Sequence, residues 1–318
     1  MLAEVLQQLS LHDRSIIVDC TLGGGGHSRA ILERIGPHGI LIGIDQDQAA
    51  LDAARVVLRL GQHVNLLRGN FGELDELLEE AGIVAADGFL FDLGVSSPQL
   101  DRAERGFSYR ADAPLDMRMD PESGRRPAAE VVNTYAEAEL ARILLTYGEE
   151  RWAARIAAFI VAARAHRSIV TTGELVELVK NAVPAAARRA GGHPARRTFQ
   201  ALRIEVNDEL GAIERGLRAA VRWLSPGGRL VVISYHSLED RIVKRVFTEL
   251  AQGCICPPEL PVCACGNVPV LSVVTKRPVM PTRAEVEMNP RARSARMRVA
   301  ERLAQAAPFG EAGSRGGS

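Results

Sequence analysis

Aromatic residues make up only 4% of this 318-residue chain, and neither sign of charge is in excess, since 39 lysines and arginines face 39 aspartates and glutamates. A balanced total excludes a uniformly basic surface, so any contact with a polyanion has to be a local patch. Long apolar runs are missing too. None approaches the ~20 residues needed to cross a bilayer, and the first ten residues carry Glu4, Gln7 and Gln8 where a secretory leader would be apolar. A cytoplasmic protein with no membrane partner is expected. With 47% hydrophobic content the chain can still bury a sizeable core, as one large domain or two modest ones.

Cysteine is scarce as well, at five residues. Cys20 stands alone, whereas Cys254, Cys256, Cys263 and Cys265 form two Cys-x-Cys pairs around Pro257, Pro258 and Pro261. Four thiols so close could hold zinc tetrahedrally. The single-residue gaps are tighter than the usual two, and unpaired thiols are ordinary in a reducing cytosol, so no metal is assigned.

What is present is an alternation of apolar runs and helical patterns: Ser15 to Asp19, a helix near Ser28 to Ile35, Gly39 to Asp45, a helix from Gln48 to Leu60, Val64 to Arg68, a helix near Leu74 to Ala81, and Gly88 to Asp92. Strand-helix-strand order predicts right-handed crossovers and a doubly wound, mostly parallel sheet, an α/β fold. From about Tyr109 to Arg203 the strand character gives way to alanine-rich helical stretches such as Glu137 to Leu145, Arg151 to Ala165 and Thr172 to Val183. After a helix from Glu205 to Trp223, the turn Pro226-Gly227-Gly228 leads into a strand to Tyr235 and a helix Leu238 to Leu250. The helical segment therefore interrupts a domain: residues 1–108 with 204–304 form one domain, 109–203 an inserted helical domain, and 305–318 a disordered tail.

The first strand ends in Asp19 and runs into four glycines, Gly23 to Gly26, followed by His27 at the start of a helix. Glycine permits close approach of backbone to ligand, and a helix start offers amide donors. Asp45 ends the second strand some ~20 residues on, the separation at which an acid meets ribose hydroxyls in doubly wound nucleotide folds. Together they point to an adenosine-bearing cofactor. NAD is disfavoured because the glycines run consecutively and do not follow G-x-G-x-x-G, which leaves S-adenosylmethionine. Phe71 after the third strand is either an adenine contact or a core aromatic. Asp92, at the ligand-bearing edge after the fourth strand, is placed beside a positive methyl donor. Two arginine clusters, Arg188, Arg189, Arg196 and Arg197, then Arg283, Arg291, Arg293, Arg296 and Arg298, are either solvated faces or phosphate grips.

After Asp92, the run Leu93 to Gln99 (LGVSSPQ) loosely resembles the proline-bearing loop with which amino-methyltransferases hold an exocyclic NH2, whose protons need acceptors while the nitrogen lines up behind the methyl group. Cys20 lies before the glycine loop, where packing suits it better than a nucleophile's role. Over almost its whole length the chain resembles the bacterial 16S ribosomal RNA cytosine N4-methyltransferases of the RsmH (formerly MraW) type. The match rests on Asp19 to Arg29 (DCTLGGGGHSR), Gly43 to Asp47 (GIDQD), Asp92 to Gln99, Arg105 to Asp120 (RGFSYRADAPLDMRMD), Thr198 to Leu210 (TFQALRIEVNDEL), Ser234 to Lys244 (SYHSLEDRIVK) and Asn289 to Arg302.

That resemblance implies a Rossmann-like class I methyltransferase fold with an inserted all-helical domain that holds RNA. It implies methyl transfer from S-adenosylmethionine to N4 of one cytidine in the decoding region of 16S rRNA within the small ribosomal subunit, with a homodimer an open option. By the same resemblance Gly25, Gly26 and His27 line the methionine side of the cofactor, Asp45 binds its ribose, Phe71 contacts adenine, and Asp92 and Gln99 complete the pocket, Asp92 also being catalytic. His236 is either a contact to the target base or a structural histidine. Family members usually carry a His-x-Pro-Val segment before the first helix, and this sequence starts inside that helix at Met1-Leu2-Ala3-Glu4; substrate binding is where that departure would tell, with cofactor binding expected to survive it. Rival activities left open are an adenine N6 or DNA amino-methyltransferase, an RNA-binding assembly factor without turnover, and, last, a nicotinamide dehydrogenase.

Overall fold

Short runs of isoleucine, leucine and valine become the strands of the computed structural model, which describes residues 1–304 apart from 59–60, 62, 97–98, 100, 190–191 and 258–263. The tail expected over 305–318 therefore lies outside the described residues. The chain folds as two compact units, residues 1–94 with 211–318, and Val95–Leu210.

The first unit contains β1 (Ile16–Asp19), β2 (Ile40–Asp45), β3 (Val64–Arg68), β4 (Ala86–Asp92), β5 (Leu224–Ser234), β6 (Leu271–Val273) and β7 (Arg296–Arg302). Their order in the sheet is β3-β2-β1-β4-β5-β7-β6. Every pairing from β3 across to β5 is parallel, while β7 runs antiparallel to both β5 and β6. The parallel strands are apolar nearly throughout because helices cover both faces, so Ile17, Val18, Leu41, Ile42, Phe89 and Leu90 are all fully buried. The chain winds outward from β1 through β2 to β3 and then returns to lay β4 on the other side of β1. That reversal makes the C-terminal ends of β1 and β4 a topological switch point, where crossovers diverge and leave a crevice.

The second unit is helical: Ala128–Thr134, Glu137–Gly148, Ala153–Arg164, Thr172–Ala182, Ala185–Arg189 and Arg196–Asn207. Leu140, Ile143, Ile156, Leu175, Val179 and Leu202 share one core. Its limits differ from the 109–203 read from composition, for an identifiable reason. The extended segment before the helices belongs to it, since Phe107, Leu115, Met117 and Met119 join that core. Asn207 clamps this segment, its side chain accepting from the Met119 N–H and donating to the Met117 carbonyl, both at 2.8 Å. The expected continuous helix from Glu205 to Trp223 is in fact two, broken at Asp208, whose φ of 51° lies in the left-handed region.

Candidate functional site

Parallel register brings three carboxylates to one edge of the sheet. Asp19 ends β1 in register with Gly43 of β2 and Leu90 of β4, so Asp45 and Asp92, the last residues of those strands, each sit two positions further along. Backbone that follows a strand holds the carboxylates of Asp19 and Asp45. Asp19 accepts from the Thr21 N–H (3.1 Å) and the buried Ser28 hydroxyl (2.7 Å). Asp45 accepts from the N–H groups of Gly23 and Asp47, both at 2.9 Å. The N–H of Asp92 donates to the Thr21 hydroxyl (2.6 Å), which ties the fourth strand to the loop after the first.

The glycine loop closes at Gly25, where φ is 75°, a conformation that glycine adopts without steric penalty. Its N–H donates to the Leu22 carbonyl (2.8 Å), and the helix Gly26–Ile35 starts at the next residue, two earlier than expected. His27 thus lies in the first turn, where amides have no acceptor inside the helix. A Cβ placed on Gly24 or Gly26 would meet nothing within 4 Å, so this stretch of backbone is open to a bound molecule.

The electrostatics are those of an under-neutralised anionic crevice. Burial pushes the carboxyl of Asp45 up to about 6 against the lowering effect of its two amide donors. Burial also raises Asp19, with Ser28, His27 and Thr21 opposing. The Asp92 carboxyl is raised by burial although His27 and Tyr235 favour its ionised form. Its Oδ2 lies 3.4 Å from His27 Nδ1, and its Oδ1 accepts from the Tyr235 hydroxyl at 2.8 Å. Burial and the adjoining Asp92 charge push the Tyr235 phenol far up, which keeps it a donor. Such a site suits a ligand that presents hydroxyl donors and positive charge to carboxylates.

Phe71 opens a short 3₁₀ turn, Phe71–Glu73, capped by the Asn70 side chain accepting from Gly72 N–H. Its ring meets Phe91 edge to face at 5.5 Å, and its backbone packs so closely on the helix Glu209–Trp223 that a Cβ on Gly216 would come within 2.7 Å of the Phe71 carbonyl. It remains partly exposed, so one ring serves core and surface together. Gln99 is placed in the other compact unit, where it is buried and its amide oxygen accepts from the Ser96 N–H at 3.0 Å.

His236 caps the helix Ser237–Ala251. Its side chain accepts from Glu239 N–H, and Glu239, fully buried, accepts in return from the N–H groups of Tyr235 (2.7 Å) and His236 (3.2 Å). Of the two roles left open for His236, the structural one accounts for these contacts. Sequence reasoning passed over Tyr235 and Thr21. Tyr235 was nonetheless signalled, because it follows the strand next to β4 and so emerges at the same sheet edge as Asp92.

The C-terminal arginines divide. Arg298 is buried against Asp240 (2.6 and 3.1 Å), Arg296 reaches the same carboxylate at 3.3 Å, and Arg283 pairs with Glu287 at 2.9 Å. A phosphate grip is not available from Arg298, whose guanidinium is used inside the sheet. In the helical unit Arg188, Arg196 and Arg197 are exposed, Arg197 also donating to the Glu149 carbonyl (2.8 Å); the Arg189 side chain is outside the described residues, as are Cys263 and the residues 97–98 of the loop after Asp92. No helix among the described residues is long and apolar enough to cross a membrane.

The model of the MraW methylase family matches residues 1–303. Proteins named ribosomal RNA small subunit methyltransferase H are similar along nearly all of the chain. The one from Symbiobacterium thermophilum is 56% identical over 306 residues, 95% of each chain. That from Geotalea uraniireducens is 57% identical over 304 residues, 95% of this chain and 97% of its own; that from Heliobacterium modesticaldum is 55% identical over 305 residues with the same coverage. Among solved structures, an rRNA methylase from Streptococcus thermophilus aligns over 95% of both chains at 11% identity with a TM-score of 0.40, too loose a likeness to carry an argument.

Proposed function

This chain belongs to the MraW methylase family, and on that premise we propose that it transfers a methyl group from S-adenosylmethionine to the exocyclic N4 of a cytidine in 16S rRNA of the small ribosomal subunit. The observation that carries the cofactor reading is the convergence of the Asp19, Asp45 and Asp92 carboxylates at one sheet edge around an open glycine loop. A pyrophosphate in that crevice would add its charge to theirs, whereas an adenosyl sulfonium offsets it. Asp45, already holding two amide donors, has lone pairs left for ribose hydroxyls. Gly25, Gly26 and His27 face the methionine portion, Phe71 borders adenine, and Asp92 completes the pocket.

Bound there, S-adenosylmethionine supplies an electrophilic methyl group and asks no metal or covalent nucleophile of the chain. The cytosine amine is a poor nucleophile because its lone pair is delocalised into the ring. Asp92 accepts hydrogen bonds from its protons and sets the nitrogen in line. Tyr235 holds the Asp92 carboxylate in one orientation. The raised carboxyl of Asp92 is also suited to receive the proton that N4 sheds as the new bond forms. Reaching N4 requires the base to be swung out of its stack. The helical unit, with Arg188, Arg196 and Arg197 on its surface, holds the RNA backbone.

The test is transfer of labelled methyl from S-adenosylmethionine to purified small subunits lacking the modification, followed by nucleoside identification. Labelled N4-methylcytidine is expected. Label on adenine N6, on DNA, or nowhere despite measurable cofactor binding would each sink this reading.

A further inference from the structure

The helix Ser237–Ala251 and β6 are joined by residues 252–270 without regular secondary structure among the described ones, a length at which loops are either functional or need fastening. Its ends are fastened by the backbone: Val270 N–H donates to the Leu250 carbonyl at 2.8 Å. The Asn267 side chain staples the interior, donating to the carbonyls of Gln252 (2.9 Å) and Gly253 (2.8 Å). Inside this staple the Sγ atoms of Cys254, Cys256 and Cys265 all lie within 4.8 Å of one another.

The sulfur spacing fits a shared metal ion. Cys254 and Cys265 Sγ are 3.7 Å apart. A disulfide would hold them at about 2.05 Å, whereas two thiolates each ~2.3 Å from one tetrahedral zinc stand about 3.8 Å apart. Backbone amides also point at the sulfurs: Ile255 and Asn267 N–H both donate to Cys265 Sγ at 3.4 Å, and Ala264 N–H donates to Cys256 Sγ at 3.3 Å. Such donors stabilise negative sulfur and orient it, the supporting role that outer hydrogen bonds play around metal ligands.

We propose that Cys254, Cys256 and Cys265 bind one zinc ion as thiolates, in a structural site that ties residues 252–257 to residues 264–270. On binding, the zinc displaces the three thiol protons to solvent, with no change of oxidation state. The remaining tetrahedral position is assigned to no described residue; Cys263, two residues before Cys265 in sequence, lies outside them.

The test begins with the full-length, tag-free chain grown with zinc and purified without chelator. Elemental analysis is expected to find about one zinc per chain, cobalt substitution to give thiolate charge-transfer bands, and zinc to shield these thiols from alkylation until a chelator is added. A Cys254→Ser/Cys265→Ser double variant is expected to lose the metal. Alkylation of the unaltered chain with and without zinc gives an answer even if that variant does not fold. A chain that stays metal-free when offered zinc, with thiols equally reactive in both conditions, overturns the site; zinc retained in the double variant overturns the assignment of its ligands.

Discussion

At the crevice edge Asp19 is fully buried and Asp45 and Asp92 are partly so, with their carboxyls raised and partners that do not cancel their charge. In β7, the other charge-rich region of the same unit, the balance is reversed. Arg298 and Arg296 share Asp240, Glu301 pairs with Arg229 at 2.7 Å, and Arg302 donates to the carbonyls of Arg222 and Leu224. Burial disfavours the charged Asp240, yet the two guanidiniums outweigh it and hold this carboxyl below its ordinary range. Both regions look like charged binding surfaces when residues are counted. A charge answered inside the chain belongs to the fold, and a buried charge left incompletely answered is where a ligand completes the structure.

The sharpest way to break this contrast is Asp92→Ala. Methyl transfer is expected to fall by at least about 1,000-fold, some 4 kcal/mol of lost transition-state stabilisation, with thermal unfolding close to that of the unaltered chain; transfer that survives removes Asp92 from the mechanism.

Next in size is Asp45→Ala, expected to weaken cofactor binding by roughly 10- to 100-fold through loss of charge-assisted hydrogen bonds; calorimetry reads it directly. The same residue fixes a pH dependence. Its carboxyl sits at about 6, above the ordinary 3.8, so the folded chain takes up a proton there that the unfolded chain does not. This group therefore adds stability as pH falls from about 6 towards 3.8, while cofactor affinity is expected to decline over that same window as the carboxylate proposed to hold the ribose is protonated. Asp45→Asn should flatten that decline, and an unchanged profile would assign it to another group.

In β7 the expectation is the opposite one. Arg298→Ala leaves Asp240 buried without its main partner and is expected to cost about 3 kcal/mol of stability in urea titration, with the salt dependence of RNA binding unaltered. A reduced salt slope at full stability would make Arg298 a phosphate ligand and dissolve the contrast. The smallest effect is reserved for Arg188→Ala on the helical unit: stability within about 0.5 kcal/mol and a salt slope lower by about 1, measured by RNA binding across a series of salt concentrations.

Much of this was legible beforehand. Strands β1 to β5 and the helices between them follow from apolar runs whose lengths and order admit few arrangements, and the glycine loop with Asp19, Asp45 and Asp92 falls at strand ends for the same reason. β6 and β7 were not legible. In Arg296–Arg302 arginines interrupt the apolar pattern, so the stretch reads as a basic patch, and only pairing with β5 and the burial of Met297 and Val299 make it a strand. The break at Asp208 was hidden likewise, since one left-handed residue leaves no periodic trace in a helical sequence. Tyr235 escaped because its role depends on a carboxylate 143 positions away.

The sequence by itself determined the α/β class, the glycine loop and the acids that end its strands, because those depend on residue type and local periodicity. Only the tertiary structure decided which charges are answered. The Asp240 pairing with Arg296 and Arg298, the Tyr235 bond to Asp92 and the meeting of Cys254 with Cys265 join residues distant in the chain. Whether a buried charge is neutralised depends on distances of a few ångströms across the fold, which no local pattern encodes.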